Sequence, residues 1–372
     1  MAAAMLTNGT NGLYSLVALQ VLMLLAMGFL LRGILLDHSA GLGNIGLALV
    51  VFNPNALAGA HLPANETLCA LLLTISFVLL YRYGLRQSAG LAVACAAAFT
   101  LSLLVRPTGQ YLVPLFPFIF ALAAIAGSGT AFWWTGFRHG MLATFVALGL
   151  LAPWLAFQTN AGVGWRIAGP TAEVLLMAFN LSYLTAEMPG EGNGPWRQQF
   201  QSEQTAELRR AHPEWDALNQ VQQDFLRLDS VQDYFLSFPF DARTFAIAFA
   251  KSTLRFFASG GEGEIHSLFG MEGDAAGSPV AFWGIKAIAI VYALALRLLG
   301  LVGLCVLLVR REWLLLLLCT AMVAYFWLTS IVLGKPRFRL LVEPELIALA
   351  AFGLVALIAL VARLRSATAV RR

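Results

Sequence analysis

Leu13-Tyr-Ser-Leu-Val-Ala-Leu-Gln-Val-Leu-Met-Leu-Leu-Ala-Met-Gly-Phe-Leu-Leu31 runs for nineteen residues without a charge. At 1.5 Å of rise per residue it makes a helix of about 28 Å, close to the roughly 30 Å hydrocarbon core of a bilayer. The apolar residues are continuous rather than alternating, so a membrane-spanning strand does not fit. Leu346-Ile-Ala-Leu-Ala-Ala-Phe-Gly-Leu-Val-Ala-Leu-Ile-Ala-Leu-Val361 repeats the pattern near the other end.

The 372-residue composition agrees. Hydrophobic residues make up 59% and charged residues 12%, against roughly 25% charged in an average soluble domain. Too few well-solvated side chains remain to cover a soluble globule of this size. The sequence therefore excludes a soluble enzyme, a disordered chain and a nucleic-acid binder, and predicts an all-α polytopic membrane protein. Cys69, Cys95, Cys305 and Cys319 all lie in apolar runs with no ligand spacing, so they read as small packing residues.

Nine spanning helices are expected: Leu13–Leu31, Leu42–Ala60, Thr67–Tyr81, Ala89–Val105, Tyr111–Gly127, Met141–Phe157, Phe282–Val309, Trp313–Leu333 and Leu340–Val361. Pro54 marks the second as tilted or broken. The seventh is long and carries Lys286 and Arg297. With nine alternating helices, Arg32, Arg82, Arg86, Arg138, Arg310, Arg311, Arg363, Arg365, Arg371 and Arg372 share one side. The positive-inside rule makes that side cytoplasmic, with the N-terminus outside and the C-terminus inside.

Three regions follow: residues 1–157 with six helices, an acidic extracytoplasmic helical insert at 158–281, and residues 282–372 with three helices and a basic tail. The insert holds 15 of the 20 acidic and eight of the 24 basic residues, net −7, which leaves the remainder at +11. Within it, Trp196–Ala211 and Trp215–Leu228 read as helices. Asp241–Ser259 reads as a third, rich in Phe and suited to the membrane surface. The first basic residue is Arg32, so nothing basic holds the N-terminus inside. An N-terminal helix and loop missing from this chain is one economical explanation.

Charges that oppose this topology are the functional leads. Arg106 follows the fourth helix on the outer side, and Lys335, Arg337 and Arg339 cluster in Gly334-Lys-Pro-Arg-Phe-Arg339. Arginine donates paired hydrogen bonds to phosphate oxygens, most strongly in a low-dielectric site. A phosphate beside an acyl chain is a lipid phosphate or pyrophosphate held at the membrane surface. The bland alternative is a set of cations anchoring a helix end among ordinary headgroups. Glu66, beside Asn65 and near His61, and Glu343 and Glu345 in Val342-Glu-Pro-Glu345 are carboxylates at outer helix ends. Glu343 and Glu345 suit pairing with Arg337 or Arg339, or orienting a substrate hydroxyl; for Glu66 a favourable charge at a helix N-terminus weighs equally with a functional role. Asp37 falls on the cytoplasmic side. Glu262, Glu264 and His266 fit no strong metal motif and read as a solvated loop, so no metal site is assigned.

Four stretches resemble the polytopic GT-C class glycosyltransferases, in particular bacterial relatives of the protein mannosyltransferases and lipid A sugar transferases. Phe52-Asn-Pro-Asn55 followed by His61-Leu-Pro-Ala-Asn-Glu66 resembles one family segment. The helix from Ala89-Gly90 to Val105-Arg-Pro107 resembles another, and Ala152-Pro-Trp154 leads into the insert as in the family. Gly334-Lys-Pro-Arg-Phe-Arg339 with Pro344 resembles the C-terminal segment.

The resemblance implies transfer of a sugar from a polyprenyl-phosphate donor to an acceptor hydroxyl on a lipid, glycan or protein. It places the chemistry at the outer face of a bacterial inner membrane. Lys335, Arg337 and Arg339, with Arg106 second, would grip the donor phosphate, and Glu66, His61, Glu343 and Glu345 would orient substrate. A divalent metal stays open. The family's catalytic Asp lies in a first outer loop that this chain lacks, since residues 1–12 hold no carboxylate. The sequence thus predicts a fragment, a degenerate member, or a chain in which an insert carboxylate substitutes. Competing functions are a transporter or flippase for a lipid-linked saccharide and a non-catalytic assembly subunit. Transport is disfavoured at this level because the apolar runs are largely free of charge at mid-depth.

Overall fold

The computed structural model describes residues 10–61, 65–167, 195–237, 242–258, 279–330 and 336–370, and among them every regular element is helical. In chain order these are α1 (Thr10–Leu35), α2 (Ala40–Val51), α3 (Pro54–His61), α4 (Glu66–Arg86), α5 (Ala89–Val105), a 3-10 segment (Pro107–Leu115), α6 (Phe116–Ser128) and α7 (Trp133–Asn160). They continue with α8 (Pro195–Ala211), α9 (Gln220–Ser237), α10 (Ala242–Ala258), α11 (Pro279–Arg310), α12 (Trp313–Ser330), a 3-10 segment (Pro336–Val342) and α13 (Glu343–Val370).

Six stretches are long and apolar enough to cross a membrane: Tyr14–Leu35, Glu66–Arg86, Pro107–Ser128, Thr130–Asn160, Trp283–Arg310 and Arg339–Ala367. The pair α2 and α3, bent by 49°, makes a seventh if it forms one span. The remaining two expected spans coincide with the shorter apolar helices Ala89–Val105 and Trp313–Thr329. The protein is thus a helical, multi-pass membrane protein with six or seven candidate spans among the described residues.

The chain divides into two compact units. The first gathers Met1–Gly149, Phe256–Trp327 and Lys335–Arg372. The second gathers Leu150–Arg255 and Leu328–Gly334.

In the first unit, local chemistry sets the breaks. Ser39 caps α2, its hydroxyl accepting from the Leu42 N–H at 3.1 Å. Pro54 cannot continue the α2 hydrogen-bond ladder, so a new helix starts there. The Asn53 side-chain oxygen accepts from the Asn55 and Ala56 N–H groups at 3.0 and 3.2 Å and so caps α3. Helices α4 and α5 form a tight hairpin that turns at Gln87, whose φ is 50°. Pro107 disfavours helical backbone at Arg106, and α5 ends there with Arg106 extended. Helices α11 and α13 pack so closely that a Cβ at Gly303 would run into the Leu349 carbonyl, and one at Gly353 into that of Leu299. That contact fixes the register of α11 against α13.

In the second unit, α8 and α9 pack around Trp215, Leu208 and Leu228, all buried. The expected helix Trp215–Leu228 is instead a short 3-10 turn followed by α9. Asn219 is the reason. Its side chain accepts from the Gln222 N–H at 2.9 Å while Gln222 accepts from the Asn219 N–H at 3.0 Å. This reciprocal cap starts a new helix. Arg227 bonds Asp224 at 3.1 Å and lies over the Trp215 ring, 5.3 Å from its centroid.

Candidate functional site

Only five carboxylates lie outside the acidic insert: Asp37, Glu66, Glu312, Glu343 and Glu345. Their partners in the first unit organise the polar chemistry of the bundle. Asp37 pairs with Arg82. Glu312 lies 3.8 Å from His38, whose other ring nitrogen is 3.4 Å from the Tyr81 hydroxyl. Both contacts sit at the end that carries Arg82, Arg86 and Arg310.

The other three carboxylates lie at helix starts toward the opposite end. The α4–α5 hairpin returns the chain over its own length, so Glu66 at the start of α4 meets Arg106 at the end of α5. The two pair at 2.6 Å, and the Asn65 side-chain amide donates to the Val105 carbonyl at 3.0 Å. Two residues expected in different roles, phosphate grip and substrate orientation, are therefore partners of each other.

Glu343 is the centre of the second cluster. It opens α13 and is 3% exposed, while Arg339, one turn earlier, is fully buried. Arg297, on α11, donates to both Glu343 oxygens at 3.2 and 3.1 Å. Arg339 Nε lies 3.3 Å from Glu343 Oε2. Asn53, at the break between α2 and α3, donates its side-chain amide to Glu343 Oε1 at 2.9 Å. The same Asn53 side chain thus caps α3 and reaches the carboxylate. Arg339 also donates to the Phe256 carbonyl at 2.7 Å, in the last turn of α10.

Two guanidinium groups thus converge on one carboxylate. Arg297 Nε and Nη1 are buried without a hydrogen-bond partner. Unused buried donors are costly in a low-dielectric setting, and an anion would satisfy them. Position along the helix supports a membrane setting. Arg310 lies thirteen positions beyond Arg297, or about 20 Å of helix against a core of roughly 30 Å. Beside Glu343, an apolar crevice is lined by Leu24, Met27, Val50, Ala56, Leu340 and Ile347, together with Pro344. Neither Arg106 nor Arg339 lines it.

The remaining expected residues fall apart from this cluster. Lys335 lies outside the described residues, and so does the side chain of Arg337. His61 is exposed, with Nδ1 2.7 Å from the Leu57 carbonyl oxygen of its own helix. Glu345 is fully buried, and neither oxygen has a hydrogen-bond partner among the described residues. Glu262, Glu264 and His266 lie outside the described residues, among which no three His, Cys, Asp or Glu side chains gather as a metal site would require.

Sequence reasoning missed Arg297 as a site residue. Its signal was available, because an arginine inside an apolar run marks a function or a buried partner. No family model, curated protein or solved structure matches the chain.

Proposed function

We propose that the chain is a GT-C-like membrane protein that binds a sugar carried on a polyprenyl phosphate and serves its transfer to an acceptor hydroxyl. In this reading all nine apolar helices cross a bacterial inner membrane, with the N-terminus outside, the C-terminus inside and residues 158–281 as an outer subdomain. The carrying observation is that the half-buried Arg297 and the fully buried Arg339 both meet the single carboxylate Glu343. The unused Arg297 donors suit a phosphodiester, whose negative charge grows as the sugar leaves. Arg339 keeps its place from the sequence reading, Arg297 joins it, and Arg106 steadies Glu66 instead of facing the phosphate. No residue of this chain is assigned as the general base.

The test is retention of a radiolabelled polyprenyl-phosphate hexose by the full chain in nanodiscs. Wild type should hold the lipid, and Arg297→Gln should weaken retention at least tenfold in a protein that stays folded and loses less stability than Glu343→Gln does. Equal retention by both proteins would overturn the proposal.

One observation favours a second reading, a transporter for the same lipid. The α2–α3 break at Asn53–Pro54 bears directly on a charged network inside the bundle, as in transporters built on discontinuous helices. Movement of the labelled lipid across proteoliposomes without sugar transfer would select that reading.

A further inference from the structure

The α10 helix, Ala242–Ala258, differs in charge from the helices before it. It carries Arg243, Lys251 and Arg255 and no carboxylate, whereas Pro195–Ser237 holds seven carboxylates and four arginines. Arg243, Ile247, Ala250 and Leu254 follow one another at helical spacing along a single face, with Lys251 beside them. All five are exposed, Ile247 at 44% and Leu254 at 66%. The opposite face holds the buried Ser252 and Phe256.

The end of α10 is tied down. The Phe256 carbonyl accepts from Arg339, the first residue of the membrane-length stretch Arg339–Ala367, and the Phe257 ring lies 6.1 Å from that of Trp327. The last turn of α10, from Phe256 onward, thus belongs to the first unit.

From this charge pattern and tether we infer that α10 docks on an anionic lipid surface, with Ile247 and Leu254 in the acyl boundary and Lys251 and Arg243 on the headgroup phosphates. An exposed apolar pair flanked by cations fits such a surface, and it does not depend on what Arg297 binds. Each basic residue near an anionic surface contributes on the order of 1 kcal/mol, or about fivefold in binding.

The test uses the full chain in nanodiscs of phosphatidylcholine with or without phosphatidylglycerol. An environment-sensitive fluorophore is placed on Leu254→Cys in a Cys305→Ser background, since the other three cysteines are buried. The expected result is a blue shift, with quenching by brominated acyl chains, that is stronger in the anionic discs. Lys251→Gln should reduce the anionic preference about fivefold. A water-like emission in both discs, equal shielding in both, or shielding only when two chains share a disc would each overturn the inference.

Discussion

Glu343→Gln is the most telling perturbation of the buried cluster. The carboxylate accepts from Arg297 at 3.2 and 3.1 Å and from Asn53 at 2.9 Å, and Arg339 Nε lies 3.3 Å away. Glutamine keeps the shape but removes the negative charge and turns an amide N–H₂ toward groups that are themselves donors. The net charge of the three ionised groups rises from +1 to +2. Removing one partner of a buried ion pair costs about 3–5 kcal/mol, and the substitution should lower stability by that amount. Arg297→Gln alone leaves the balanced pair Arg339–Glu343 and should cost less. The double substitution returns the cluster to +1 and should recover at least ~2 kcal/mol of the loss. Unfolding in mixed dodecylmaltoside–SDS micelles, followed by the fluorescence of the nine tryptophans, measures all four proteins. The reasoning fails if Glu343→Gln lies within ~1 kcal/mol of wild type, or if the double variant is no more stable than Glu343→Gln.

Four more outcomes follow from the same geometry. Asn53→Asp keeps the α3 cap but sets a second carboxylate against Glu343, so in micelle unfolding it should be less stable than Asn53→Ala, which loses a cap worth ~1 kcal/mol. Arg106→Gln should destabilise the α4–α5 hairpin by about 3 kcal/mol or more, and adding Glu66→Gln should restore part of the loss in the same assay. Gly303→Val meets the Leu349 carbonyl and should separate α11 from α13, read as a lower melting temperature. Glu345→Leu removes a buried carboxyl without partners and should leave stability unchanged or raise it, by ~1 kcal/mol or more; a clear loss would show that the carboxyl has a role.

The helical membrane class was legible from the apolar runs alone, because length and absence of charge suffice to define a span. Most helix positions were legible for the same reason. The α9 start was not, since the Asn219–Gln222 cap is a local contest that hydrophobic spacing does not register. The site was half legible. Arg339, Glu343, Arg106 and Glu66 stood out as charges at helix ends, but which carboxylate meets which arginine depends on tertiary packing. The α4–α5 hairpin decides one pairing, and the glycine contacts between α11 and α13 help decide the other. Arg297 escaped because it stands inside an apolar run, away from the helix ends where the other charges were sought, whereas the structure joins it to Glu343.

The most direct measurement of the central claim is a structure of the full chain with bound polyprenyl phosphate. The account predicts phosphate density within hydrogen-bonding distance of Arg297, with Glu343 still between the two guanidinium groups. Phosphate density elsewhere on the bundle, with Arg297 unchanged, would contradict it.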